Sequence, residues 1–167
     1  LAKDLGVVYV DTGAMYRALG LKILNNGIDM KDEDGIKELL KETEIDFNKG
    51  DIVLDGQVVS HLIRTPDVSM AASACSAYPF VREKLVAAQL QMGASKAVIM
   101  DGRDIGTAVF PDAEYKFYIT ATDEDGRFYC FKANREDQIT PKEQRILSFG
   151  LMANDTMLID NVELRFT

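Results

Sequence analysis

Val98-Ile99-Met100-Asp101-Gly102-Arg103-Asp104-Ile105-Gly106-Thr107 is an apolar run that stops at two carboxylates flanking an arginine, with glycines close by. A buried strand ends this way when its tip must hold an anion. An earlier stretch repeats the layout: Val7-Val8-Tyr9-Val10 runs into Asp11-Thr12-Gly13-Ala14-Met15-Tyr16-Arg17, a strand followed by a capped helix whose first turns carry an arginine. Strands that are apolar throughout belong to parallel sheets covered on both faces. Ligands of such sheets sit at the carboxyl ends of the strands, so two tips that each deliver Asp and Arg point to one shared site.

The rest of the chain supports a wound α/β fold. Thr12 reads as the N-cap of a helix whose stripe is Met15, Ala18, Leu19 and Ile23 and which ends near Asn25-Asn26-Gly27. Asp32-Glu33-Asp34 opens a second helix with Ile36, Leu39 and Leu40 facing inward. The period then changes to two: Ile45 to Asn48, Ile52 to Leu54 and Gln57 to Val59, with turns at Lys49-Gly50 and Asp55-Gly56, form a meander of short strands. Helix returns over Leu62 to Asp67 and continues through the small residues of Val68 to Ala77. Pro79 then starts the longest helix, with Val81, Leu85, Ala88 and Met92 on one face. Further strands are expected at Val98 to Met100, Tyr115 to Ile119 and Thr156 to Asp160, and a capping box at Thr140-Pro141-Lys142-Glu143 opens a helix through Leu147. Alternation of strand and helix predicts an α/β fold, a parallel sheet with helices on both faces. The sheet is expected to hold residues 7–10, 98–100, 115–119 and 156–160, with residues 45–60 projecting as a small separate sheet. Leu1 to Gly6 has the spacing and closing glycine of a helix's last turn, so a helical segment is expected before it.

The 167 residues are 47% hydrophobic and 28% charged, enough for a real core in one domain with an excursion. Nineteen basic residues against twenty-seven acidic ones leave a net charge of −8, which excludes a general nucleic-acid coat but not local arginines that bind one phosphate. Cys75 and Cys130 stand in no metal-ligand spacing and read as reduced thiols of a cytoplasmic protein. No apolar run approaches the length of a membrane span, and no signal sequence opens the chain.

Four runs then stand in a telling order: Asp11 to Ala18, Ile63-Arg64-Thr65-Pro66-Asp67-Val68, Val81-Arg82-Glu83, and Asp101 to Thr107 continuing through Phe110-Pro111-Asp112-Ala113. Together they closely resemble the bacterial cytidylate kinase family, from residue 1 to about 122. The resemblance implies transfer of the γ-phosphoryl group of ATP to CMP or dCMP, with magnesium, in pyrimidine nucleotide metabolism. The fold it implies is the P-loop nucleoside monophosphate kinase type, with a core at 1–27 and 69–167, a monophosphate-binding insert with β-structure at 28–68 and a lid near 123–149. A cytoplasmic monomer without membrane or nucleic-acid polymer partners is expected.

Phosphoryl transfer asks the protein mainly to position two nucleotides and neutralise charge. Arg17 and Arg103 offer planar forks suited to an α-phosphate, and the resemblance gives the matching residues that task. The plainer reading of these arginines is surface ion pairing. Ser73, Arg82 and Asp104 match the family's cytosine readers: a carboxylate accepts from the amino group while Arg donates to the carbonyl and ring nitrogen, a pattern that uracil does not satisfy. Ser73 alone reads equally as a packing choice in a small-residue helix. The resemblance turns the Thr12 hydroxyl toward the monophosphate, although a cap alone would explain it, and Tyr16 has the same two readings. Asp11 either begins the turn or holds a magnesium-bound water, the role favoured here. No set of direct metal ligands is expected, His61 reads as a surface residue, and the methionines read as core filler.

Two features depart from the family pattern. The glycine-rich loop G-x-x-x-x-G-K-[ST], which cradles ATP phosphates and would lie before the helix ending at Leu5, is not in the chain. After Thr122 only fragments of an arginine-rich lid are visible, with Arg127 and Arg135 as its candidate residues, and the step from Phe149 to Leu151-Met152 skips an expected segment. Either these 167 residues omit segments of a complete enzyme, which is favoured because phosphate loops and lids are the parts that move when empty, or the protein is truncated. A truncated protein would bind CMP through its monophosphate residues without binding ATP or transferring phosphate, and an intact mass above 18.6 kDa would decide for the enzyme. The alternatives are another small-molecule kinase of the same fold, acting on UMP or a non-nucleotide acceptor, and a truncated, non-catalytic nucleotide-binding protein.

Overall fold

A computed structural model describes residues 2–113, 115–121, 128–133, 146–147, 156–159 and 162–165, with side chains for 2–113, 115 and 116. The chain forms two compact units, one of Leu1–Gly6 with Ile99–Thr167 and one of Val7–Val98. In the first, helix α1 (Ala2–Leu5) stops at Gly6, whose φ of +67° is the left-handed conformation its sequence position implies.

The Val7–Val98 unit begins with β1 (Val8–Asp11), where the Val8 N–H donates to the Ala97 carbonyl at 3.1 Å. Helix α2 (Thr12–Asn25) follows directly, burying Ala14, Met15, Ala18, Leu19 and Ile23. Its N-cap is Asp11 rather than Thr12, a correction to the sequence reading: Asp11 is extended and its Oδ1 accepts the Ala14 N–H at 2.9 Å. Thr12 is instead the first helical residue and is buried. At the other end the Gly27 N–H reaches the Leu24 carbonyl and the Ile28 N–H the Ile23 carbonyl, with Gly27 at φ +64°. This double closure is a Schellman motif, and it explains why the helix stops at the Asn-Asn-Gly sequence.

Helix α3 (Glu33–Lys41) is capped by Asp32 and buries Ile36 and Leu40. Strands β2 (Ile45–Asn48), β3 (Asp51–Leu54) and β4 (Gln57–Val58) then form an antiparallel three-stranded sheet of their own, as expected. Lys49 and Gly50 (φ +52° and +93°) and Asp55 and Gly56 (φ +48° and +80°) supply the left-handed pairs that two-residue hairpins require. Phe47 and Ile52, cross-strand partners, are buried on one face with Leu54.

Helix α4 (Pro66–Cys75) begins later than the sequence suggests, and Leu62 to Thr65 are turn residues. Thr65 precedes a proline, which disfavours helical backbone there, and it becomes the N-cap with ψ 154°. Helix α5 (Pro79–Ser95) buries Val81, Leu85 and Met92 as expected, together with Gln89. Among the described residues the Gln89 Oε1 finds no hydrogen-bond partner. Helices α2 and α4 meet at Gly20, where an added Cβ would stand 2.9 Å from the Ala72 nitrogen and 3.1 Å from the Val68 carbonyl oxygen. The small residues of α4 are therefore a close-packing surface.

Cys75 lies on that surface, fully buried, with its thiol toward the Ala72 carbonyl. Burial pushes its pKa up to about 11 against the opposing effect of a backbone hydrogen bond. In a Cys130→Ser background, Cys75 should therefore resist a thiol reagent at neutral pH until the protein is unfolded. Peptide mapping of the label would check this, and labelling of the native protein at the rate of a free thiol would refute it.

In the other unit, β5 (Val98–Gly102) leads into a π-helical turn at Ile105–Val109. It is followed by β6 (Lys116–Ala121), β7 (Phe128–Ala133) and β8 (Ile146–Leu147). These strands lie in the order β5, β8, β6, β7, each neighbouring pair antiparallel, with Asp101 opposite Leu147 and Tyr118 opposite Ile146. Two expectations are corrected here. Ile146 and Leu147 are strand rather than the end of a helix, the remainder of which lies outside the described residues. Among the described residues Thr156 to Ile159 (β9) joins no larger sheet and pairs antiparallel with β10 (Val162–Arg165). Only Asp160-Asn161 separates those strands, so closing the local pair costs far less chain entropy than reaching a distant partner. Among the described residues no helix is long and apolar enough to cross a membrane.

Candidate functional site

The first group of predicted residues is built by the junction of β1 and α2. Asp11 ends the strand and caps the helix with Oδ1, and its Oδ2 accepts from Arg17 Nη2 at 2.8 Å. Helical spacing brings Arg17 back over the first turn, so cap and ion pair share one carboxylate. The Arg17 side chain is 26% exposed, and its Nε is buried without a hydrogen-bond partner. The guanidinium is thus braced by a carboxylate and still partly exposed. Thr12 and Tyr16 stand on the same first turns.

Gly13 leaves room beside this pair. A Cβ there would lie 3.1 Å from both Arg17 Nη1 and Asp11 Oδ1. The signal was available in the chain as a glycine lodged between a capping aspartate and an arginine one turn on.

The second group lies where α4 gives way to α5. Arg82 Nη1 donates to the Ser76 carbonyl at 3.4 Å, and the Ser76 Oγ donates to the Ser73 carbonyl at 2.8 Å. The structure thus brings Arg82 to the carboxyl end of the helix that carries Ser73, on a face where both are exposed. The third group, Arg103 and Asp104, belongs to the other unit and follows β5. Both side chains are exposed, and the Asp104 carbonyl accepts from the Ala108 N–H at 2.8 Å. The Asp104 carboxylate makes no capping bond to the π-helical turn. Arg127 and Arg135, the candidate lid residues, lie outside the described residues.

Among the described residues no three of His, Cys, Asp and Glu gather as a metal-binding group. Magnesium in phosphoryl transfer keeps several waters and takes its other ligands from phosphates and one or two carboxylates. Asp11 at the helix start fits that lesser demand.

The model of the cytidylate kinase family matches residues 1–148. The chain belongs to the cytidylate kinase family. It is 48% identical over 125 residues to the cytidylate kinase of Caldanaerobacter subterraneus subsp. tengcongensis, covering 75% of this chain and 56% of that protein. Identity to the cytidylate kinase of Caldicellulosiruptor saccharolyticus is 51% over 129 residues, 75% of this chain and 57% of the relative. The Bacteroides thetaiotaomicron cytidylate kinase is 39% identical over 188 aligned positions, 98% of this chain and 82% of the relative. Those 188 positions exceed the chain's 167 residues, so that alignment opens gaps on this side. The chain spans a little over half the length of the first two of these relatives. Family membership carries the P-loop nucleoside monophosphate kinase fold, and the α/β class expected from the alternating strands and helices holds.

Proposed function

We propose that the protein transfers the γ-phosphoryl group of ATP to CMP or dCMP. The observation that carries this reading is the family match over residues 1–148. The geometry supports it at α2, where Asp11 braces the partly exposed Arg17 guanidinium at the end of a strand.

Roles follow residue by residue. Arg17 and Arg103 bind the α-phosphate and neutralise its charge, and the Thr12 hydroxyl and Tyr16 complete the phosphate side. Ser73, Arg82 and Asp104 read the cytosine. Magnesium neutralises phosphate charge when bound, and Asp11 holds one of its waters while keeping Arg17 in place. Residues 28–68 form the monophosphate-binding insert on a core of 1–27 and 69–167, with a lid near 123–149 that includes Arg127 and Arg135. The protein works as a cytoplasmic monomer. A coupled ADP-release assay on full-length protein of verified mass tests the reading. Turnover of CMP or dCMP with ATP and magnesium is expected, and none with either refutes it.

Base selectivity is a separate expectation. Replacing Asp104 with Ala removes the acceptor for the cytosine amino group, at a cost of about 1–3 kcal/mol in monophosphate binding. Calorimetric titration should show a larger loss for CMP than for UMP. Equal losses would show that Asp104 does not read the base.

A further inference from the structure

Lys22 is the one lysine of α2 with a largely covered side chain, 13% exposed, and it reaches away from its own helix. Its ammonium lies 2.6 Å from Asp55 Oδ2 and donates to the Glu42 carbonyl at 2.9 Å. Asp55 sits in the β3–β4 turn with left-handed backbone. It is tied again to the start of β2, because its Oδ1 accepts the Glu44 N–H and its own N–H donates to the Glu44 carbonyl, each at 2.9 Å. One lysine therefore grips the end of α3, the entry to β2 and the far turn of the meander.

The contacts close a ring. From β3 the Asp51 carboxylate accepts from the Ser60 hydroxyl at 2.9 Å, and that hydroxyl accepts the Ile52 N–H, which fixes the chain as it leaves the meander for α4. Helix α4 carries Ser73 and returns to α2 at Gly20. Five residues before Lys22, about 7.5 Å along the helix axis, α2 carries Arg17. Two further ties, Lys96 to Asp46 at 2.9 Å and the Tyr78 hydroxyl to the Met30 carbonyl at 2.8 Å, join the same segment to the start and end of α5. They are lateral braces, whereas Lys22 joins the segment directly to the helix of Arg17.

We propose that Lys22 is a positioning residue for monophosphate binding: by clasping the Glu42 carbonyl and Asp55 it holds the meander, and through it the entry to α4, against the helix that carries Arg17. This rests on the proposed function. Truncating this nearly covered ammonium removes its bonds to two acceptors at once, and Asp55, whose side chain is 39% exposed, is left with its tie to the Glu44 N–H.

The test uses the full-length protein with Lys22→Met, which keeps the apolar stem, Asp55→Asn, and the double variant. Lys22→Met should raise the KM for CMP about three- to tenfold, with kcat within about twofold and the KM for ATP unchanged. Asp55→Asn should act in the same direction more weakly, and the double variant should match Lys22→Met, because both changes break one contact. Amide exchange across residues 44–56 should quicken in Lys22→Met. A folded Lys22→Met protein with wild-type KM for CMP overturns the inference, as does a fall in kcat at unchanged KM. If Lys22→Met does not fold, Asp55→Asn decides by the same KM criterion. A wild-type protein that turns over neither CMP nor dCMP refutes the proposed function and the nucleotide role of Lys22 with it, whereas unchanged exchange at 44–56 refutes the clasp alone.

Discussion

Replacing Arg17 with Ala is expected to lower kcat/KM for CMP by about two to three orders of magnitude, the usual cost of removing a fixed charge from developing phosphate charge. The expectation comes from how Arg17 is held. Asp11 fixes one edge of the guanidinium at 2.8 Å, so the fork is oriented before any ligand arrives. The truncation should disturb the fold little. Asp11 keeps its cap on Ala14, and the pair is about one quarter exposed on each side, so its loss costs no more than ~1 kcal/mol of stability. Arg17→Lys should recover only a small part of the activity, because a point charge cannot offer two parallel donors. Steady-state kinetics together with a thermal melt separate the two effects. An Arg17→Ala protein within threefold of wild type would remove this residue from the phosphate site.

The largest effect on stability is expected from one methyl group at Gly20. Alanine is the better helix former by about 1 kcal/mol, so propensity alone predicts a gain. Packing reverses the sign. The new Cβ would lie 2.9 Å from the Ala72 nitrogen, 3.1 Å from the Val68 carbonyl oxygen and 3.2 Å from the Ala71 Cβ. The two closest atoms are backbone and cannot turn aside, so α2 and α4 must separate along a contact that buries Val68, Ala71, Ala72 and Cys75. Overpacking of this kind costs about 1–3 kcal/mol, roughly 2–12 °C in melting temperature for a chain of this size. Denaturant titration of Gly20→Ala checks it, and a midpoint equal to or above wild type would show that the helices yield.

Much of this protein is decided by neighbours along the chain. Gly6 and Gly27 end helices, Lys49-Gly50 and Asp55-Gly56 turn the meander, and Thr65-Pro66 starts α4, each through backbone preferences that act over a few residues. The motif residues could be read in the same way, since Asp11 and Arg17 are six positions apart at a strand-to-helix junction and Arg103 and Asp104 are adjacent. What the sequence left open was every choice between competing partners. Both Asp11 and Thr12 suit a cap, and the carboxylate took it because one side chain could serve the Ala14 N–H and Arg17 together. Thr156 to Ile159 carries the pattern of a buried sheet strand, yet Val162 to Arg165 offered a nearer edge. Gln89 holds a core position that polarity argues against, and Lys22 looks like any solvated lysine until Asp55 and Glu42 come within reach from more than nineteen residues away. Periodicity and capping are local, whereas burial and charge pairing depend on which distant segments arrive, and only the tertiary structure decides that.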